Sequence, residues 1–146
     1  MAVADVIPSR ERHGNCLTRR EAAATMLANI KRNTNRINGY DSGIILNDGG
    51  KVAEGAYSCI FLVKDGLAVT PDVTSGILEG ITRATLMDLL REEMKLEVIE
   101  REVDRTELYV ADEVFLCGTL AEIEPVLSVD RYTIGEGVSG PVTLEL

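Results

Sequence analysis

Between residues 43 and 70 the chain is cut into short apolar and β-branched runs by turn-forming sequences, and this pattern restricts the fold more than any other feature. The runs are Gly43-Ile-Ile-Leu46, Lys51-Val-Ala53, Cys59-Ile-Phe-Leu-Val63 and Leu67-Ala-Val-Thr70. Asn47-Asp-Gly-Gly50 separates the first pair and Lys64-Asp-Gly66 the second, which predicts two antiparallel hairpins. Further strands are expected over 96–100, 113–116 and 121–124, with isolated helices between them. Runs of strands interrupted by single helices predict an α+β fold, not a regular βαβ alternation.

The helix signals are local. Thr18-Arg-Arg-Glu21 has the form of a capping box, so a helix is expected from there, fading over Asn33-Thr-Asn35 and stopping near Gly39. Thr82 is placed to cap a second helix, with Leu86, Met87, Leu90 and Met94 along one face. Asp104, with Glu107 three residues on, predicts the start of a third. The expected organisation is a basic helical segment over 1–38 and a single domain over 39–146, within the ordinary size range of domains.

Charge and composition exclude several functions. A net charge of −9 opposes binding to a nucleic-acid backbone unless the cations are gathered on one face. Arg10, Arg12, Arg19, Arg20, Lys31, Arg32 and Arg36 do cluster ahead of Gly39, and they read as the solvated face of a helix, so no nucleic-acid partner is expected. No apolar run reaches the roughly 18 residues of a membrane span, and nothing resembles a signal peptide, so a cytoplasmic protein is expected. Cys16, Cys59 and Cys117 are odd in number and widely spaced, with His13 the only histidine, which supports neither a disulfide framework nor a metal site. Gly135-Glu-Gly-Val-Ser-Gly140 matches Gly-x-Gly-x-x-Gly, but the residues after it look too few and too β-prone for a dinucleotide-binding helix, and it reads as a loop.

Several segments gain meaning together. Glu54-Gly-Ala-Tyr-Ser-Cys-Ile-Phe61, Thr70-Pro71, Gly76-Ile-Leu-Glu-Gly-Ile-Thr-Arg83, Glu107-Leu-Tyr-Val-Ala-Asp-Glu-Val-Phe115, Gly118-Thr119 and Ile134-Gly-Glu-Gly-Val-Ser-Gly-Pro-Val-Thr143 occur in an order and spacing that resemble the fold-type IV aminotransferases. These enzymes use pyridoxal phosphate (PLP). The closing glycine-rich segment resembles the branched-chain amino acid aminotransferases in particular. D-amino acid aminotransferases and aminodeoxychorismate lyases share the earlier motifs.

The resemblance implies the larger, cofactor-binding domain of such an enzyme and a parent reaction that moves an amino group from leucine, isoleucine or valine to 2-oxoglutarate. It implies Glu54 beside the ring nitrogen of the cofactor, Gly80, Ile81 and Thr82 around its phosphate, and Thr119 and the backbone of Leu120 at phosphate and substrate carboxylate. A carboxylate beside a pyridine nitrogen keeps it protonated, and a helix N-terminus suits a phosphate. Arg83 completes the motif in a structural role.

Three features depart from the family. The position of its Schiff-base lysine falls on Arg20, or on Glu11 or Arg12 when a gap is allowed, and a guanidinium is neither a nucleophile nor able to lose its proton. Cys59 stands where the family has asparagine. The smaller domain of the family has no counterpart in this chain. A shortened homologue is therefore expected, inactive by itself, without covalent attachment of PLP, and associating with itself or with a full-length relative. The alternatives are a non-catalytic phosphate-binding or partner-binding homologue and an active member with a relocated lysine.

Overall fold

The computed structural model describes residues 39–146 together with the backbone of residues 2–6. The helix expected after Thr18, the lysine positions Arg20, Glu11 and Arg12, His13 and Cys16 lie outside the described residues. The described strands are β1 (Ala2–Val6), β2 (Ser42–Leu46), β3 (Val52–Gly55), β4 (Cys59–Lys64), β5 (Leu67–Thr70), β6 (Glu97–Glu100), β7 (Glu113–Gly118), β8 (Glu122–Val129) and β9 (Tyr132–Thr133). They form one sheet in the order β3-β2-β1-β8-β7-β4-β5-β6, with β9 added to β8. The helices are α1 (Ile81–Glu92), α2 (Glu107–Val110) and α3 (Pro141–Glu145). None among the described residues is long and apolar enough to cross a membrane.

Both predicted hairpins are present as antiparallel pairs, β2 with β3 and β4 with β5. Asn47 fixes the first turn, its side-chain oxygen accepting from the N–H groups of Gly49 and Lys51, each at 3.0 Å. In the second turn Asp65 and Gly66 have φ of 51° and 76°, the two left-handed residues that match a tight turn to the twist of its strands. β6 then pairs with β5 in parallel, an arrangement that needs a crossover, and α1 supplies it.

Side chains alternate cleanly along the central strands. Ile60 and Leu62 of β4, Val69 of β5 and Val114 and Leu116 of β7 pack on one face, with Ile44, Val52, Val103 and Leu108. Phe61, Ala68 and Phe115 face the other way and pack with Leu86 and Leu90 of α1. The Phe61 and Phe115 rings stack at 5.2 Å, almost parallel, and neither is exposed. Burying one such ring contributes roughly 1.5–3 kcal/mol.

The structure corrects the sequence reading at several boundaries. β8 does not stop at Glu124. Its first half, 122–125, pairs with β7 and its second, 126–129, with β1. Pro125 stands at the change of partner, where the missing N–H ends one ladder without ending the strand. Asp104 does not cap α2 with its side chain, because its carboxylate pairs with Lys51 at 2.7 Å. Glu107 makes the returning half of the box, accepting from the Asp104 N–H at 2.9 Å. The residues after Gly140 form the short helix α3, where β character was expected.

Candidate functional site

Glu54, Leu78, Gly80, Cys59 and Cys117 converge where β3 ends, β4 begins and β7 ends. Glu54 is half-buried, and its Oε2 accepts from the backbone N–H of Leu78 at 3.0 Å. Burial raises the carboxyl above the ordinary range and the Leu78 N–H partly offsets this. The carboxylate thus pins the approach to α1, and a cation beside it would relieve its desolvation.

From Leu78 the chain turns through Gly80 into α1. Gly80 is the N-cap residue, in extended conformation, and no side chain caps the helix. This corrects the expectation that Thr82 is the cap. Thr82 lies within the first turn, because Arg83 is drawn into the helix by a buried anchor: its guanidinium donates to Pro71 O and to Glu100 Oε2, both at 2.8 Å, and to Thr70 Oγ1 at 3.3 Å. Arg83 ties α1 to β5 and β6. The first N–H groups of a helix lack intrahelical partners and carry partial positive charge, so a twelve-residue helix begins here with its donors uncapped by any side chain. A Cβ built on Gly80 would come within 3.4 Å of Cys59 Sγ, so glycine keeps the backbone close to the sheet.

Cys59 and Cys117 are direct cross-strand partners. Cys59 Sγ lies 3.5 Å from Leu78 O. The hydrogen bond from the Cys117 thiol is the main influence lowering the Cys59 pKa, and the same bond, followed by burial, raises that of Cys117. Cys59 is therefore the more readily ionised thiol of the two. They stand 58 positions apart in the chain, and no spacing rule in the sequence links them; only the β4–β7 register does.

Thr119 and Leu120 occupy the exposed turn that follows β7. Their strand places them beyond Cys117, where a Cβ on Gly118 would meet Tyr57 O at 3.3 Å. Ile81 is exposed on the helix, and Leu78 and Leu120 are exposed as well. The described lysines are engaged elsewhere: Lys51 with Asp104, Lys64 with Asp112 at 3.1 Å, and Lys95 with Glu92 O. No group of three or more metal-ligating side chains occurs among the described residues. A separate cleft of about 370 Å³ lies at the far end of β4, lined by Leu62, Lys64, Leu67, Arg101 and Glu107. Its cations are already neutralised, Lys64 by Asp112 and Arg101 by Glu107 at 2.6 Å, so its chemistry is less suited to an anion than the start of α1.

The start of α3 is closed by contrast. Glu113 Oε1 accepts from the Val142 N–H at 3.0 Å, and Oε2 from the N–H and Oγ1 of Thr143 at 2.9 and 2.7 Å. A Cβ on Gly140 would overlap the Glu113 carboxyl, so the glycine is required for this approach. The glycine-rich segment is a loop, as expected, and its helix is occupied by the protein's own carboxylate.

The fold is that of part of a fold-type IV aminotransferase. The amino-transferase class IV family model matches residues 6–129, and the chain belongs to that family. It is 51% identical over 110 residues to a probable branched-chain-amino-acid aminotransferase of Aquifex aeolicus, an alignment that covers 75% of this chain and 35% of that protein. The branched-chain-amino-acid aminotransferase of Escherichia coli K12 is 50% identical over 108 residues, with 74% and 35% covered. Among solved structures, the Escherichia coli branched-chain aminotransferase superposes with a TM-score of 0.84 at 39% identity, over 98% of this chain and 49% of that one. The PLP form of the Thermobaculum terrenum enzyme gives 0.81 at 52% identity, over 84% and 40%. The chain thus spans about a third of the length of the curated relatives it matches.

Proposed function

We propose that this chain forms the phosphate and ring-nitrogen side of a PLP site of the branched-chain aminotransferase type, whose reaction moves an amino group from leucine, isoleucine or valine to 2-oxoglutarate. The observation that carries the reading is the side-chain-free start of α1 beside a half-buried carboxylate. The donor set fits the group at two of its ends. Gly80, Ile81 and Thr82 would hold the phosphate through backbone N–H groups and the Thr82 hydroxyl, and Thr119 would add a second hydroxyl. Glu54 would face the ring nitrogen and hold a proton there. PLP, when bound, withdraws electrons from the carbon that exchanges its amino group. Thr119 and the backbone of Leu120 would orient the substrate carboxylate, and Cys59 would keep Leu78 and Gly80 against the sheet.

The described lysines do not fit a covalent anchor for PLP, since each is held elsewhere, so no step through such a link is assigned to them. By itself the chain then binds PLP without turning over amino acids. The exposed Leu78, Ile81 and Leu120 would be covered by a second copy or by a longer relative, which makes the assembled protein oligomeric. A cytoplasmic setting suits this chemistry. The test is to incubate the chain with PLP, reduce with borohydride and map adducts by mass spectrometry, with transamination of leucine assayed in parallel. Reversible binding without a stoichiometric adduct and without turnover is expected. A homogeneous lysine adduct with turnover would establish an active enzyme with a relocated lysine.

A further inference from the structure

We propose that Cys59 and Cys117 form a dithiol that closes reversibly to an intramolecular disulfide, and that closure loosens the Leu78–Gly80 entry to α1. Directly opposed residues on antiparallel strands have Cα atoms about 4.5–5.5 Å apart, inside the roughly 4.4–6.8 Å span of disulfides. The two cysteines are such a pair, and each thiol shifts the ionisation of the other. They differ in access: Cys59 is 8% exposed, at the edge of the candidate site, and Cys117 is fully enclosed. Cys59 is also the more acidic thiol of the pair, so the fraction that ionises supplies the attacking thiolate.

The oxidant is a low-molecular-weight disulfide. The Cys59 thiolate attacks one of its sulfurs, forming a mixed disulfide and expelling one thiolate. Cys117 then gives up its proton, and its sulfur attacks Cys59, expelling the second small thiolate. The protein loses two hydrogens and the oxidant is reduced to two thiols. A sulfur in a disulfide has no hydrogen to donate, so the contact from Cys59 to Leu78 O is lost. That contact holds the loop whose Leu78 N–H meets Glu54 and whose Gly80 begins α1.

The disulfide stands on strand register alone; its effect on anions rests on the function proposed above. The full chain carrying Cys16→Ser is treated with oxidised glutathione under native conditions, then analysed by intact mass, peptide mapping, hydrogen exchange and titration with inorganic phosphate. Expected are a loss of two hydrogen masses, a Cys59–Cys117 peptide, reversal by dithiothreitol, faster exchange at Leu78 and Gly80, and phosphate affinity lower by about fivefold, the factor for one neutral hydrogen bond. Adding Cys117→Ser should trap a glutathione adduct on Cys59, whereas Cys59→Ser should leave Cys117 unmodified. A stable adduct on Cys59 with Cys117 present, or no change in mass, overturns the disulfide. Closure without change in exchange or in an otherwise measurable phosphate affinity overturns the coupling. If the reduced chain binds no phosphate, the anion reading fails while the mass result still decides the disulfide.

Discussion

Two of the described helices start after a glycine in extended conformation, and neither has a side-chain cap from its own first residues, yet their N-termini differ in chemistry. At α3 the Glu113 carboxylate takes both leading N–H groups and the Thr143 hydroxyl from inside the sheet. At α1 the Glu54 carboxylate binds the N–H of Leu78, two residues before the N-cap, instead of the helix's own donors. A glycine before a helix is therefore not a ligand site by itself. What separates the two helix starts is whether the protein places its own anion there.

The largest expected effect lies at the closed end. Glu113→Ala leaves three donors without their acceptor and should lower stability by about 3 kcal/mol in urea titrations. An unchanged denaturation midpoint would show that the closed end is not structural, and would remove the contrast with α1. At the open end the effect should move from folding to binding. Thr82 makes no cap hydrogen bond, so Thr82→Ala should shift stability by no more than about 0.5 kcal/mol. Affinity for PLP or phosphate should fall by roughly 1.5–3 kcal/mol, the range for a hydrogen bond to a charged group. Melts and calorimetry on the same variant separate the two quantities, and a destabilised variant with normal affinity would reverse their assignment.

Glu54 and Glu107 sharpen the comparison through pH. Burial raises the Glu54 pKa, so its contribution to stability is complete below the ordinary value of 4.5 and is lost as pH rises through the raised one. Glu54→Gln should flatten the thermal-melt profile between the ordinary value and the raised one. A ligand cation beside Glu54 would weaken the dependence in the parent. Glu107 behaves oppositely, because the Arg101 guanidinium lowers its pKa: its contribution is present above the ordinary value and is lost as pH falls through the lowered one. The pair is largely exposed and screened, so Glu107→Gln should cost less than about 1 kcal/mol near neutrality and reduce the acid sensitivity of the melt. Identical pH profiles for the two variants would mean that burial and ion pairing had been assigned to the wrong carboxylates.

Much of the open end is legible in the amino-acid sequence. Glu54, Gly80, Thr82 and Thr119 belong to local motifs, and the turn residues Asn47 and Gly66 act at their own positions, so short windows of sequence contain the necessary information. The rest is set by tertiary contacts. Thr82 has the better capping side chain, but the buried contacts of Arg83 with Pro71 and Glu100 pull the helix start back to Gly80. Pro125 marks an end to pairing in a local reading, whereas a second partner lets β8 continue. β1 joins the sheet between β2 and β8 from a segment whose basic composition points to a helix. Cys117 gains significance only through the register that sets it against Cys59.

The central claim is that the open start of α1 recognises the phosphate of a PLP-type ligand without a covalent anchor. Equilibrium titration of the full chain with PLP and with pyridoxal, which shares the ring and aldehyde but lacks the phosphate, tests it most directly. The account predicts saturable PLP binding that inorganic phosphate displaces, and little binding of pyridoxal. Equal affinities for the two, unaffected by phosphate, would contradict it.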